Sequence, residues 1–75
     1  MSVTIPNSVT IIKNDAFREC IGLIEIINES ATPQPITSSV FPYVISTCTL
    51  RVPAASIYAY SVAYMWEHFG NIVAI

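Results

Sequence analysis

Val3-Thr4-Ile5-Pro6, Ile24-Glu25-Ile26-Ile27 and Leu50-Arg51-Val52-Pro53 are the stretches on which the fold of this chain turns. The first and third share an apolar-polar-apolar-Pro pattern, and the second occupies the middle of the interval between them. Ala16-Phe17 recurs as Val40-Phe41, each preceded by polar residues. The implied period is about 23 or 24 residues, within the range at which repeats build solenoids. Each alternating run reads as a β-strand, and each Pro ends its strand because it has no N–H to give to the next ladder position.

Working outward from these runs, the composition supports one small folded unit. The chain has 75 residues, 53% hydrophobic and only 11% charged, with a net charge of −2. So low a charge and so high an apolar content exclude a disordered chain. Three Lys+Arg residues cannot neutralise a phosphate backbone, so nucleic acid is not an expected partner. Six of the eight charges fall between Lys13 and Glu29, giving the first third a solvated turn-and-helix character. No linker composition divides the chain, and residues 1–75 are read as one domain.

A mean hydropathy of +0.59 raises the question of a membrane. The charge-free run from Ser30 to Leu50 is broken by Pro33, Pro35 and Pro42, and the run from Val52 to Trp66 falls short of the roughly 20 residues a spanning helix needs. No transmembrane segment is expected, and Met1-Ser2-Val3-Thr4 lacks the positive start and apolar core of a signal peptide. Cys20 and Cys48 match no metal-site spacing. Buried thiols and a single disulfide both fit them.

Ile5-Pro6-Asn7-Ser8-Val9-Thr10, followed by Ile12, Ala16-Phe17, Cys20 and Leu23, resembles one BspA-type leucine-rich repeat. Cys48-Thr49-Leu50-Arg51-Val52-Pro53-Ala54, with Ser56, Ala59-Tyr60, Trp66, Phe69 and Asn71-Ile72, is similar to the segment that closes such arrays in Bacteroides-like surface proteins. Lys13 stands where the repeat usually has Gly, and Asn28-Glu29 where an Ile-Pro pair is usual. The resemblance implies an α/β leucine-rich-repeat solenoid of about three rungs with small parallel strands (residues 1–54). A capping helix and terminal strand (residues 55–75) would close it.

The expected strands lie near 3–5, 24–27 and 49–52, the helix near 56–65, and the last strand at 71–75. Strand alternation points Val3, Ile5, Ile26, Leu50 and Val52 inward. Phe17 and Phe41 fill the opposite side, with Ile12, Cys20, Leu23 and Val44 packed between. Ser56 is placed to cap the helix by accepting a backbone N–H. Ile57, Tyr60 and Ala63 face the core, Trp66 and Phe69 fold over its end, and Gly70 permits the turn into the last strand.

Catalytic readings find little support. Asp15, His68 and several serines supply the residue types of a triad, but no Gly-x-Ser-x-Gly elbow is present. His68 beside Phe69 reads as a surface residue of the cap. Glu25 and Glu29 do not share a helical face, and the two glycines lie too far apart to cradle a phosphate. No enzyme activity, cofactor or metal is expected.

The remaining reading is a non-catalytic protein–protein interaction module whose outward strand positions are Ser2, Thr4, Glu25, Ile27, Thr49 and Arg51. The resemblance implies adhesion to a host or matrix protein, and a cell-surface or secreted setting if the chain is part of a longer exported protein. The alternative is a structural carboxy-terminal cap that closes and solubilises a longer array. Self-association is expected as well. Tyr58, Ser61 and Met65 share a helical stripe with Val62 and Tyr64 beside it, leaving an aromatic-Met patch on a helix already apolar on its inner side. The strand edge at the amino terminus offers a second surface for a homo-oligomer if no repeat precedes it.

Overall fold

The computed structural model describes residues 2–17, 20, 22–37, 39–41 and 43–75, with the side chains of 43 and 44 outside that description. The expected packing of Val44 therefore lies outside the described residues. Four extended segments, β1 (Ser2–Ile5), β2 (Glu25–Asn28), β3 (Thr49–Val52) and β4 (Asn71–Ala74), form one open parallel sheet in the order β1-β2-β3-β4. The registers Ser2↔Glu25, Glu25↔Thr49 and Thr49↔Asn71 step along the chain by 23, 24 and 22 positions. Each strand thus pairs with its neighbours in sequence, and the terminal segment joins the sheet as a fourth strand.

The alternation in the strand sequences explains which face is buried. Val3, Ile26, Leu50 and Ile72 stand in one inner row across the sheet, and Ile5, Asn28, Val52 and Ala74 in a second. Ile26, Leu50 and Val52 are fully buried, whereas Val3 and Ile72 at the two ends of their row are half-buried. The middle strand begins one residue later than expected, which leaves Ile24 exposed and brings Asn28 into the strand.

Behind the sheet the core is aromatic. Phe17 stacks on Phe41 with ring centroids 5.5 Å apart, and Phe41 meets Trp66 and Phe69 edge-on, each at 5.2 Å. Tyr60 packs edge-on against Trp66 at 5.3 Å. Each such pair contributes about 0.5–1.5 kcal/mol beyond the area it buries. Phe17 and Phe41 occupy equivalent places, since the Phe17 N–H donates to the Val40 carbonyl at 2.8 Å. Phe17 is only half-buried, because it lies at the outer end of the aromatic group.

Several local expectations are corrected. The first third contains a turn at 14–17 but no helix among its described residues. The only α-helix among the described residues, α1, covers Ile57–Ser61 and not 56–65. Beyond it, Val62 forms the C-cap with its φ widened to −113°, and Met65 adopts a φ of 69°. These two residues turn the chain back so that Trp66 and Phe69 reach the core. A positive φ at a residue with a side chain costs of order 1–3 kcal/mol and is held here by the burial of Trp66 next to it.

Ser56 makes no helix cap. Its hydroxyl donates to the Ala31 carbonyl at 2.7 Å, tying the start of α1 to the loop after β2. Gly70 is required for close approach and not for a left-handed turn. Its φ is not positive, and a Cβ there would overlap the Ser46 carbonyl oxygen. Among the described residues, no helix is long and apolar enough to cross a membrane.

Candidate functional site

The outward side chains of the four strands line up in two rows. Ser2, Glu25, Thr49 and Asn71 make one, and Thr4, Ile27, Arg51 and Val73 the other. All six positions expected on this face from the sequence are on it. Asn71 and Val73 extend it, and the sequence-based reading missed them because it treated the last segment as a closure and not as a sheet member. The step of 24 that joins Glu25 to Thr49 would carry Thr49 on to Val73, whereas the last junction steps by 22 to Asn71, so the outward parity of the segment was present in the sequence but its register was not.

Charge on this face is paired within it. Arg51 Nε donates to Glu25 Oε2 at 2.6 Å, and the Ser2 hydroxyl donates to Glu25 Oε1 at 2.7 Å. These two bonds, the Arg51 contact first, hold the Glu25 carboxyl below the ordinary glutamate value. Arg51 also reaches the Ala74 carbonyl with Nη1 at 3.4 Å, so its side chain spans three strands. The face is polar, nearly neutral and made of short side chains around one fixed ion pair.

The second candidate surface is smaller than the sequence implies. Tyr58, Val62 and Tyr64 are 77%, 57% and 63% exposed, and Ser61 is exposed beside them. Met65 does not join this patch. With the helix ended at Ser61, its side chain packs half-buried against the core. The stripe of Tyr58, Ser61 and Met65 is therefore not formed.

A buried polar group lies beneath the loop that follows β2. Asn28 Nδ2 donates to Gln34 Oε1 at 2.7 Å, and Gln34 Nε2 donates to the Val9 carbonyl at 3.0 Å. The Ser30 N–H donates to Asn28 Oδ1, Tyr60 Oη to the Ser30 carbonyl, and Trp66 Nε1 to the Gln34 carbonyl at 2.9 Å. Burial raises the Tyr60 hydroxyl pKa, so it stays a donor at neutral pH. Outside this group is a shallow hollow of about 170 Å³ lined by Val9, Thr10, Thr32, Pro33 and Pro35, smaller than sites for drug-sized ligands.

Both cysteines are thiols and do not form a disulfide. Cys48 is buried and its thiol donates to the Leu23 carbonyl at 3.0 Å; burial pushes its pKa up, the opposite of activation. His68 is exposed, with Nε2 3.8 Å from Glu67 Oε1. Among the described residues, no three His, Cys, Asp or Glu side chains come together as a metal site would need. No family model, curated protein or solved structure matches the chain.

Proposed function

We propose that this chain is a non-catalytic protein–protein interaction module, a short leucine-rich-repeat solenoid whose outer strand face is the recognition surface. The observation that carries this reading is the pair of outward rows running unbroken across all four strands. Stacked repeats commonly recognise partners through such continuous faces. Glu25, Ile27, Thr49 and Arg51 form the centre of the surface, and Thr4 adjoins them on the edge strand β1. Following the family resemblance, the partner is a protein of a host surface or extracellular matrix. Purified matrix proteins should bind the immobilised chain, and Ile27→Asp and Arg51→Glu should each weaken that binding by about tenfold or more, as for a residue at the centre of an interface. Binding that survives both substitutions in folded protein would remove the outer face from the reading.

A structural role as a carboxy-terminal cap is supported by a different observation. Tyr60, Trp66 and Phe69 are gathered over one end of the core, all but fully buried. In that reading the aromatic group replaces the next repeat, and nothing adds beyond β4.

A further inference from the structure

We propose that the two edges of the sheet are complementary halves of one interface, by which a second copy of this chain adds its β1, in parallel, to β4. The proposal rests on the repeat-array reading above and names the partner of its edges. It does not depend on what the outer face binds.

The hydrogen bonds between strands follow one rule. The N–H of Glu29 donates to the Ile5 carbonyl, Thr49 to Ile24, Asn71 to Cys48 and Ile75 to Val52, at 2.9–3.3 Å. In each bond the acceptor lies in the earlier strand, or next to it, at a position of inward parity. The donor lies in or next to the later strand at a position of outward parity. The N–H and C=O of one strand residue point to the same side, and the side alternates along the strand. Ser2 and Thr4 in β1 therefore direct their backbone groups away from β2, and Ile72 and Ala74 in β4 direct theirs away from β3.

These are the missing halves of the same rule. β4 offers inner-row residues and β1 offers outer-row residues, as at every junction already formed. With Val3 of one copy opposite Ile72 of the other, the Thr4 N–H donates to the Ile72 carbonyl and the Ile72 N–H to the Ser2 carbonyl. The Ala74 N–H is then free for the Thr4 carbonyl, while the Ala74 carbonyl keeps its Arg51 contact. The same register places the half-buried Val3 and Ile72 side by side and makes the inner row continuous from copy to copy. Because the two edges differ, the contact is heterologous, and since each added copy extends the sheet and leaves one free edge of each kind, assembly continues with concentration.

Proline tests each edge separately. The N–H groups of Thr4 and Ala74 face away from the existing ladder, so Thr4→Pro and Ala74→Pro spare every internal strand bond while blocking one edge each. In sedimentation velocity the wild type should grow steadily in size from micromolar toward millimolar concentration. Each proline variant alone should stay monomeric. An equimolar mixture should form a particle of twice the monomer mass and nothing larger, because only one competent pair of edges remains.

A wild type that stays monomeric throughout overturns the proposal. So does either variant that assembles alone, which would indicate pairing of like edges or of the Tyr58–Tyr64 patch. If a proline variant loses its circular dichroism, amide exchange in the wild type decides. The Thr4 and Ala74 amides should exchange several-fold more slowly as concentration rises, and unchanged rates reject the interface. Failure of these tests leaves matrix-protein binding by the outer face standing, and loss of that binding leaves the assembly standing.

Discussion

Asn28 and Gln34 face each other amide to amide beneath the loop after β2, Asn28 Nδ2 donating to Gln34 Oε1 at 2.7 Å and Gln34 Nε2 donating back to Asn28 Oδ1 at 3.3 Å. Asn28 has no exposed surface, and no buried polar side-chain atom among the described residues lacks a partner. The pair therefore makes the loop after β2 a fixed part of the core. Asn28→Ala and Gln34→Ala should each cost about 1–3 kcal/mol, since each leaves a buried amide without its partner. The double mutant should cost less than the two added together, and denaturant melts of all four proteins give that coupling directly. Strict additivity would mean that the amides stabilise the fold independently.

Gly70→Ala should be among the most damaging small substitutions. The added Cβ meets the Ser46 carbonyl oxygen, a backbone atom that cannot rotate away. Relief requires moving the segment that donates from the Gly70 N–H to the Ile45 carbonyl. The loss should be roughly 1–3 kcal/mol or more, as for overpacking elsewhere. The denaturation midpoint should fall with the slope unchanged, and a wild-type midpoint would contradict the close approach.

The aromatic residues should rank by burial. Trp66→Ala and Phe41→Ala should cost about 3–5 kcal/mol each, enough to unfold much of a domain this small. Phe17→Ala should cost clearly less, because Phe17 keeps part of its surface in water. Thermal melts by circular dichroism would test the order, and a Phe17 variant as unstable as the Phe41 variant would contradict it.

Glu25 should make stability depend on acid. Its folded pKa lies below the ordinary value of 4.5, so its contribution is fully present above that value. The contribution is lost as pH falls from about 4.5 through the lower folded value. Glu25→Gln should therefore lose less stability than the wild type across that acid range. Added salt should narrow the difference, because the Arg51 partner is partly exposed. Parallel pH profiles for the two proteins would remove Glu25 from the account.

The thiols should separate by accessibility. Iodoacetamide should modify the half-buried Cys20 of the native protein well before Cys48, whose thiol is buried, raised in pKa and bonded to Leu23. In denaturant both should react alike. Dithiothreitol should leave the melting temperature unchanged, and a fall on reduction would reveal a bridge.

The sheet was legible because period-2 alternation and a repeated step are both written in short runs such as Val3-Thr4-Ile5 and Leu50-Arg51-Val52. The positions of Tyr60, Trp66 and Phe69 were legible for a similar reason, as large apolar groups must be covered. What was not legible depends on partners distant in sequence. Asn28 looked like a departure from an Ile-Pro pair, and only Gln34 and Val9 make it a core residue. The end of α1 was not legible because Ile57 through Met65 is apolar or aromatic apart from Ser61, so periodicity cannot show where the chain must turn back. Gly70 was noticed as a glycine, but its reason lies in the Ser46 carbonyl.

The near-equal register steps also bear on how the chain reaches this structure. Every strand pairs only with its neighbours in sequence, across steps of 22 to 24 positions. Loop-closure entropy grows only slowly with length, so closing any one junction costs nearly the same as closing another. The route of folding is then decided by what each closure buries. Joining β3 to β4 brings in Tyr60, Trp66 and Phe69 within one step, more aromatic surface than either earlier junction gathers. Folding should begin there and travel toward the amino terminus, with β1 docking last.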